Sequence, residues 1–173
     1  MTATFTRSPI PLSDEARTRL VSALALSLCD GMAMYTCLKL AHWNVSGEHF
    51  ASYHVLFGAT AELVDGYNDD IAERVTTLGA FVGCNVSRVG ATMRIADYPV
   101  QPMSAKQHLV EVSSRLDRYI AGLVAAADVA AEVEDEGTLN MLAGVLEQIQ
   151  KAGWKVMKSL EPEEPSKDVM VAP

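Results

Sequence analysis

The sequence predicts an all-α protein, a bundle of four long helices with a long crossover between the second and the third. Apolar residues recur at helical spacing in four long segments, and the alternating pattern that is typical of strands is nearly absent. The stretch over residues 80–103 contains several glycines and prolines and lies between the second and third of these segments. At 173 residues the chain fits one domain that can build a core without disulfides.

The first half of the chain is a short tail followed by two helices. Residues 1–11 are predicted to form the tail, and Ser13 is the predicted N-cap of a first helix that runs to about Asn44. Ser46 and Gly47 end that helical pattern. A second helix is predicted from about Glu48 to Leu78, and Gly79 provides its C-cap.

The second half begins with the crossover, which is predicted to carry one short helical turn near residues 87–93. Ser104 caps a third helix that runs to about Glu132, and a fourth helix runs from about Thr138 to Leu160. Four helices with a long link between the second and the third is the arrangement of ferritin-like bundles. The predicted domain therefore spans residues 12–160, and residues 161–173, with three prolines, are predicted to be a loose tail.

Composition limits the classes of function. The net charge is −8, which argues against binding nucleic-acid phosphates and is compatible with attracting cations. Three cysteines without CxxC spacing (Cys29, Cys37 and Cys84) are expected to be reduced, buried thiols. No membrane span and no signal peptide are expected from the distribution of apolar residues, so the expected location is the cytoplasm.

One face of the predicted second helix carries histidine and acidic side chains without a single lysine or arginine. At 100° per residue, His54, Glu62, Asp65, Asp69 and Glu73 fall within an arc of about 100°. A solvated helix face normally mixes both signs of charge. The pattern therefore predicts a metal site.

Helix length places this site between two chains. The sequence contains no Glu-x-x-His pair, which four-helix di-iron enzymes use inside one bundle. His54 and Asp69 are 15 residues apart, so about 22 Å separates them along one helix. A second copy running antiparallel across a two-fold axis would bring its Asp69 and Glu73 to His54 and to His42 of the neighbouring helix. The predicted ligands are therefore His42, His54, Asp69 and Glu73, in two equivalent sites per dimer.

Several motifs resemble one family. His42-Trp43-Asn44 is followed twelve residues later by His54, and then by Asp69-x-x-x-Glu73-Arg74. Tyr98-Pro99, Thr138 and Trp154 extend the match over roughly residues 12–160. This combination resembles Dps, the mini-ferritins of bacteria. The resemblance implies a hollow homo-oligomer of twelve subunits that oxidises Fe(II), preferentially with hydrogen peroxide, and stores the ferric mineral. It also implies ferroxidase sites at two-fold interfaces, with histidines from one subunit and Asp and Glu from the other.

Gly58 departs from the family pattern, which usually has an acidic residue four positions after the second histidine. One interpretation is that water fills the gap and iron binds more weakly. The other is that Glu62 or Asp65 substitutes and provides an auxiliary iron position. A functional alternative follows, namely a cage with impaired ferroxidase activity that acts mainly as a structural or DNA-protecting protein.

The remaining charged groups carry weaker expectations. Tight DNA binding is not expected, because the terminal segments hold few cations and the second is acidic. His49 and His108 are expected to be surface residues. Arg74 is expected to form an interface ion pair rather than to orient Glu73. The acidic turn over residues 132–136 is expected to be solvated, or to line a pore that admits Fe(II).

Overall fold

A computed structural model describes residues 5–161, which form five helices and no strand. They are α1 (Asp14–Asn44), α2 (Phe50–Thr77), α3 (Val86–Thr92), α4 (Ala105–Glu132) and α5 (Glu136–Lys158). The predicted fold class is confirmed, including the short helix α3 in the crossover between the second and third long helices. Of the predicted tail over residues 161–173, residues 162–173 lie outside the described residues.

Local capping chemistry explains where the helices begin. Ser13 accepts a hydrogen bond from the backbone N–H of Ala16 at the start of α1. Ser104 forms a capping box with Gln107 at the start of α4. Each cap satisfies a backbone donor that has no partner within its helix, and both were read correctly from the sequence.

Helix α1 is the central helix of the bundle. It packs against α2, α3 and α4, and α5 packs against α4 and α2. Because it faces neighbours on several sides, α1 is apolar over much of its circumference, and by length and composition alone it could cross a membrane. This differs from the expectation that no such segment exists. In the folded chain, 56% of its most apolar window is buried inside the bundle, and a bundle's core helix meets the same criterion.

The N-terminal segment is bound to the end of α2. The backbone N–H of Thr6 donates to the carbonyl of Gly79 at 2.8 Å, and the Ser8 hydroxyl donates to the carbonyl of Thr77 at 2.7 Å. Gly79 has a φ of +87°, and a Cβ there would lie 2.5 Å from the carbonyl oxygen of Thr6. Glycine is therefore required at this position both for the backbone conformation and for the contact.

The crossover is fixed to the bundle by buried polar contacts. The Asp30 carboxylate, fully buried on α1, accepts hydrogen bonds from the backbone and side chain of Arg94 at 2.6 and 2.7 Å. The Tyr98 hydroxyl lies 2.7 Å from Nδ1 of His108, which is only 1% exposed. The expectation that His108 is a surface residue is therefore wrong. Burial lowers the pKa of His108, and a hydrogen bond to the backbone of Asn44 opposes this shift.

Candidate metal centre

Two histidines from neighbouring helices are stacked at the end of the α1–α2 pair. His42 lies in the last turn of α1 and His54 in the second turn of α2. Their ring centroids are 3.7 Å apart and the ring planes differ by 25°. Both rings are half-buried, and the Phe50 ring covers His54 at a centroid distance of 5.0 Å.

Reciprocal hydrogen bonds set the orientation of the two rings. Nδ1 of His42 lies 2.7 Å from the carbonyl oxygen of His54, and Nδ1 of His54 lies 2.9 Å from the carbonyl oxygen of His42. A carbonyl oxygen can only accept, so each Nδ1 carries the proton. With the Nδ1 positions occupied in this way, Nε2 is the nitrogen of each ring that can bind a metal.

The turn between α1 and α2 brings these helices into that register. Gly47 and His49 both have positive φ values, 87° and 62°, and the backbone N–H of Phe50 donates to the carbonyl of Gly47. Val45 is buried at the end of α1 and fixes the exit of the chain. A left-handed residue other than glycine is uncommon, and His49 tolerates the conformation better than a bulky or β-branched residue would.

Gly58 lies directly beneath the His42 ring. A Cβ at this position would be 3.0 Å from both Cε1 and Nδ1 of His42, which is closer than an ordinary contact. The absent acidic side chain is thus not simply a missing ligand. In this chain the space that such a side chain would enter is bordered by the imidazole itself.

The four carboxylates of the stripe all lie exposed on α2: Glu62, Asp65, Asp69 and Glu73. Within residues 5–161, none of these carboxylates forms an ion pair or a side-chain hydrogen bond. Nearby like charges without counter-charges repel one another, and a bound cation relieves that repulsion. No three groups among histidine, cysteine, aspartate and glutamate are close enough to hold a metal within the described part of one chain. One chain therefore presents two separate groups of candidate ligands, a histidine pair and a carboxylate row.

A groove of about 570 Å³ adjoins the carboxylate row between α1, α2 and the crossover. Asp65 and Asp69 line it together with Gly66 and Asn68, and Cys84 lines it from the crossover. The groove also has apolar walls from α1 and the crossover, formed by Leu28, Met32 and Val82.

Arg74 does not point at the neighbouring Glu73. Its guanidinium donates to both carboxylate oxygens of Asp135 at 2.7 and 2.9 Å, and to the Thr138 hydroxyl at 2.7 Å. The expected interface ion pair is therefore replaced by one within the chain, which joins the end of α2 to the start of α5. Asp135 is only 6% exposed. The expectation of a solvated acidic turn is therefore wrong for this residue.

The charge state of Asp135 follows from these contacts. Burial alone would raise the pKa of its carboxyl, but hydrogen bonds from Thr138 and Arg74 outweigh burial, and the pKa is lowered. The pair therefore remains ionised at neutral pH and holds the segment that follows Glu73 in place.

Sequence reasoning had named both histidines, but it had not found the two carbonyl groups that orient them. These partners belong to the main chain, and their positions depend on how α1 crosses α2. No sequence pattern signals them directly. The joint binding of a metal by the four predicted ligands stays a prediction, because within one described chain they do not lie close enough together to hold one ion.

The sequence is similar to known proteins over most of its length. The ferritin-like domain family matches residues 21–162. The DNA protection during starvation protein of Agrobacterium fabrum is 26% identical over 143 residues, covering 83% of this chain and 88% of that protein. An uncharacterized low temperature-induced protein of Nostoc is 28% identical over 156 residues, covering 90% and 87%.

Solved structures give the same picture. The chain is similar to DpsA14 from Streptomyces coelicolor, with a TM-score of 0.88, 28% identity and coverage of 94% of this chain and 96% of that one. It is also similar to Mycobacterium smegmatis Dps, with a TM-score of 0.85, 25% identity and coverage of 94% and 96%.

Proposed function

The chain belongs to the ferritin-like family and, within it, to the Dps mini-ferritins, and on this premise we propose that it oxidises and stores iron. The substrate is Fe(II) and the product is a ferric mineral held inside a cage. The cage thereby protects the cell, in the cytoplasm, from the oxidative damage that Fe(II) and hydrogen peroxide cause together. Ferroxidase activity is general in this family, and the assignment to these residues is our proposal.

The observation that carries the proposal is the pair of oriented imidazoles. Each of His42 and His54 has Nδ1 bonded to a carbonyl and Nε2 available for a metal. Imidazole nitrogen together with carboxylate oxygen is a suitable ligand set for iron. The carboxylates would come from Asp69 and Glu73, which lie exposed and without a cationic partner in the described chain.

The complete site requires a second copy of the chain. We propose that two α2 helices pair antiparallel across a two-fold axis, so that the histidine pair of one subunit meets the partner's Asp69 and the partner's Glu73. The assembly is a homo-oligomer, and the resemblance implies twelve subunits. The native mass in solution tests this, since a stable monomer cannot form the site.

The reaction is a transfer of electrons between substrates. Two Fe(II) ions each lose one electron, and one hydrogen peroxide accepts both electrons and two protons from solvent, so that its O–O bond breaks and two waters form. Dioxygen is the alternative oxidant. The protein binds the iron ions at Nε2 of the histidines and offsets their positive charge with carboxylates. Carboxylates bind iron more strongly as its charge rises from Fe(II) to Fe(III).

Gly58 raises a second candidate function. The pairing that sets Gly58 opposite the partner's Asp69 also sets Glu62 opposite the partner's Asp65. We propose that this acidic pair provides an auxiliary iron position that compensates for Gly58.

If the acidic pair does not compensate for Gly58, the chain is a cage with impaired ferroxidase activity and a mainly structural or DNA-protecting role. The position of Gly58 directly beneath His42 is what favours keeping this alternative.

Iron oxidation measured by absorbance distinguishes the two. If the first function is correct, His54→Ala slows the oxidation of Fe(II) sharply, whereas His49→Asn does not. His49 is a matched control because it lies exposed at the start of the same helix and asparagine tolerates its left-handed backbone. A wild type no faster than His54→Ala supports the impaired cage instead.

The auxiliary position has a test of its own. A crystal soaked in Fe(II) is expected to show anomalous density beside Glu62 and Asp65. The double variant Glu62→Gln with Asp65→Asn, which keeps the shape of both side chains, is expected to lose that density while His42 and His54 keep theirs. Absence of metal near Glu62 and Asp65 in the wild type would rule the position out.

A further inference from the structure

Two thiols in contact join α1 to the crossover. Sγ of Cys29 lies 3.3 Å from Sγ of Cys84, although the two residues are 55 positions apart in the sequence. The Cys29 thiol donates to the Cys84 sulfur, and the Cys84 thiol is directed at the carbonyl of Ala25 at 3.5 Å. The third cysteine, Cys37, lies buried about two turns further along α1.

We propose that Cys29 and Cys84 are an oxidisable dithiol, which hydrogen peroxide closes to a disulfide within one chain. The two sulfurs are already in contact, so the closure needs a further approach of about 1.3 Å to reach the length of an S–S bond. Next to Cys29, Asp30 binds the backbone and side chain of Arg94, which lies just beyond α3, and this contact ties the crossover to α1. The crossover therefore remains against α1 while the bond forms.

Exposure decides which sulfur reacts first. Cys84 is half-buried and lines the groove that also contains Asp65 and Asp69, whereas Cys29 is only 1% exposed. An oxidant that enters the groove reaches Cys84. If iron is oxidised at the neighbouring carboxylates, the peroxide used there passes through the same space, but the thiol contact does not depend on that function.

The chemistry proceeds in two steps. The Cys84 sulfur attacks one peroxide oxygen, so an S–O bond forms, the O–O bond breaks, and one water leaves after proton transfer. The Cys29 sulfur then attacks the Cys84 sulfur, an S–S bond forms, the S–O bond breaks, and a second water leaves. In total the two thiols lose two electrons and two protons, and one peroxide is reduced to two waters.

The environment makes this a slow modification rather than a catalytic turnover. Burial and the neighbouring Cys29 raise the pKa of the Cys84 thiol to about 12, so thiolate is scarce at neutral pH. The dithiol is therefore expected to remain reduced in the presence of dilute oxidant and to close during sustained exposure to peroxide. The disulfide fixes one wall of the groove beside Asp69. It persists in the protein as a covalent mark of the exposure to peroxide.

Mass spectrometry of the full-length, metal-free protein tests the proposal. The protein is incubated with millimolar hydrogen peroxide in the presence of a chelator, unfolded, and alkylated with N-ethylmaleimide. The reduced protein has three free cysteines and takes three adducts. The oxidised protein is expected to take one, to lose the mass of two hydrogen atoms, and to yield a peptide in which Cys29 is linked to Cys84.

Variants locate the bond. Cys37→Ala is the matched control, since it removes a buried thiol outside the pair, and it is expected to close as the wild type does. Cys84→Ala is expected to keep both remaining thiols. Three adducts after peroxide treatment, a link that involves Cys37 or a second chain, or Cys84 converted to sulfinic acid without a disulfide would each overturn the proposal. Because iron is absent, failure of the iron function leaves this result unaffected.

Discussion

Replacing Gly58 by alanine separates the steric role of this position from its role as a missing ligand. A Cβ there lies 3.0 Å from Cε1 and Nδ1 of His42, against ordinary contacts of 3.4–4 Å, so the imidazole must move by about 0.5 Å. The 2.7 Å bond from Nδ1 of His42 to the His54 carbonyl then lengthens but stays within hydrogen-bonding range.

The two effects on stability nearly cancel. Alanine in place of glycine inside α2 favours the helix by about 1 kcal/mol. The weakened hydrogen bond opposes this by about 0.5–1 kcal/mol. The free energy of unfolding is therefore expected to stay within about 1 kcal/mol of the wild-type value, measured by urea denaturation.

The effect on iron oxidation is larger, because ligand position matters more for rate than for folding. A displacement of 1 Å in a reacting group costs about a hundredfold in rate, so half of that displacement costs about tenfold. Gly58→Ala is therefore expected to oxidise Fe(II) about tenfold more slowly than the wild type, in absorbance traces recorded under identical iron and peroxide concentrations.

Gly58→Asp completes the comparison, since it imposes the same displacement and adds a carboxylate. It is expected to be faster than Gly58→Ala, and faster than the wild type if the natural chain is impaired by lacking that ligand. A Gly58→Ala protein with the wild-type rate would refute the argument that the ring of His42 depends on the absence of a side chain. A loss of several kcal/mol in stability would refute it equally.

Three further outcomes are expected. Asp135→Asn leaves Arg74 without its counter-charge and is expected to lower the free energy of unfolding by about 3–5 kcal/mol in urea titrations. The control variant Glu136→Gln changes an exposed residue of the same turn and is expected to alter the free energy of unfolding little. The pKa of Asp135 is lowered in the folded state, so the ionised carboxylate stabilises the fold at pH values above its unfolded pKa of about 4. This stabilisation is lost as the pH falls through the folded pKa. The free energies of unfolding of the wild type and Asp135→Asn, measured against pH, should therefore converge at low pH. Duplex DNA is expected to remain unshifted in gels at moderate salt, and nanomolar affinity would contradict the argument from net charge.

Local signals accounted for the helices well, because capping and turn chemistry act over a few residues. Ser13 and Ser104 begin their helices at the predicted positions through contacts with their sequence neighbours. The C-cap of α2 is Leu78 instead of the predicted Gly79, which follows it with a positive φ. Helix spacing also put His54 and the carboxylates on one helix. The prediction that the site is shared between two chains rests on the length of that helix alone.

Long-range partners were predicted poorly, because they depend on which helices meet. Arg74 is next to Glu73 in sequence, yet its partner Asp135 is 61 positions away. His108 carries no local pattern that separates a buried histidine from an exposed one, and its burial results from Tyr98 on the crossover packing against α4. Pairings of this kind become visible only when the elements are assembled.

The reciprocal bonds between the two histidines have a consequence for assembly. A side chain that is mobile before association loses rotamer freedom when it becomes part of an interface, at about 0.5–1.5 kcal/mol for each one immobilised. His42 and His54 have already given up this freedom within the single chain, because each is held by the other's carbonyl. Their conformational entropy is lost during folding. In the proposed two-chain centre, the histidine pair would therefore already be rigid when the subunits associate.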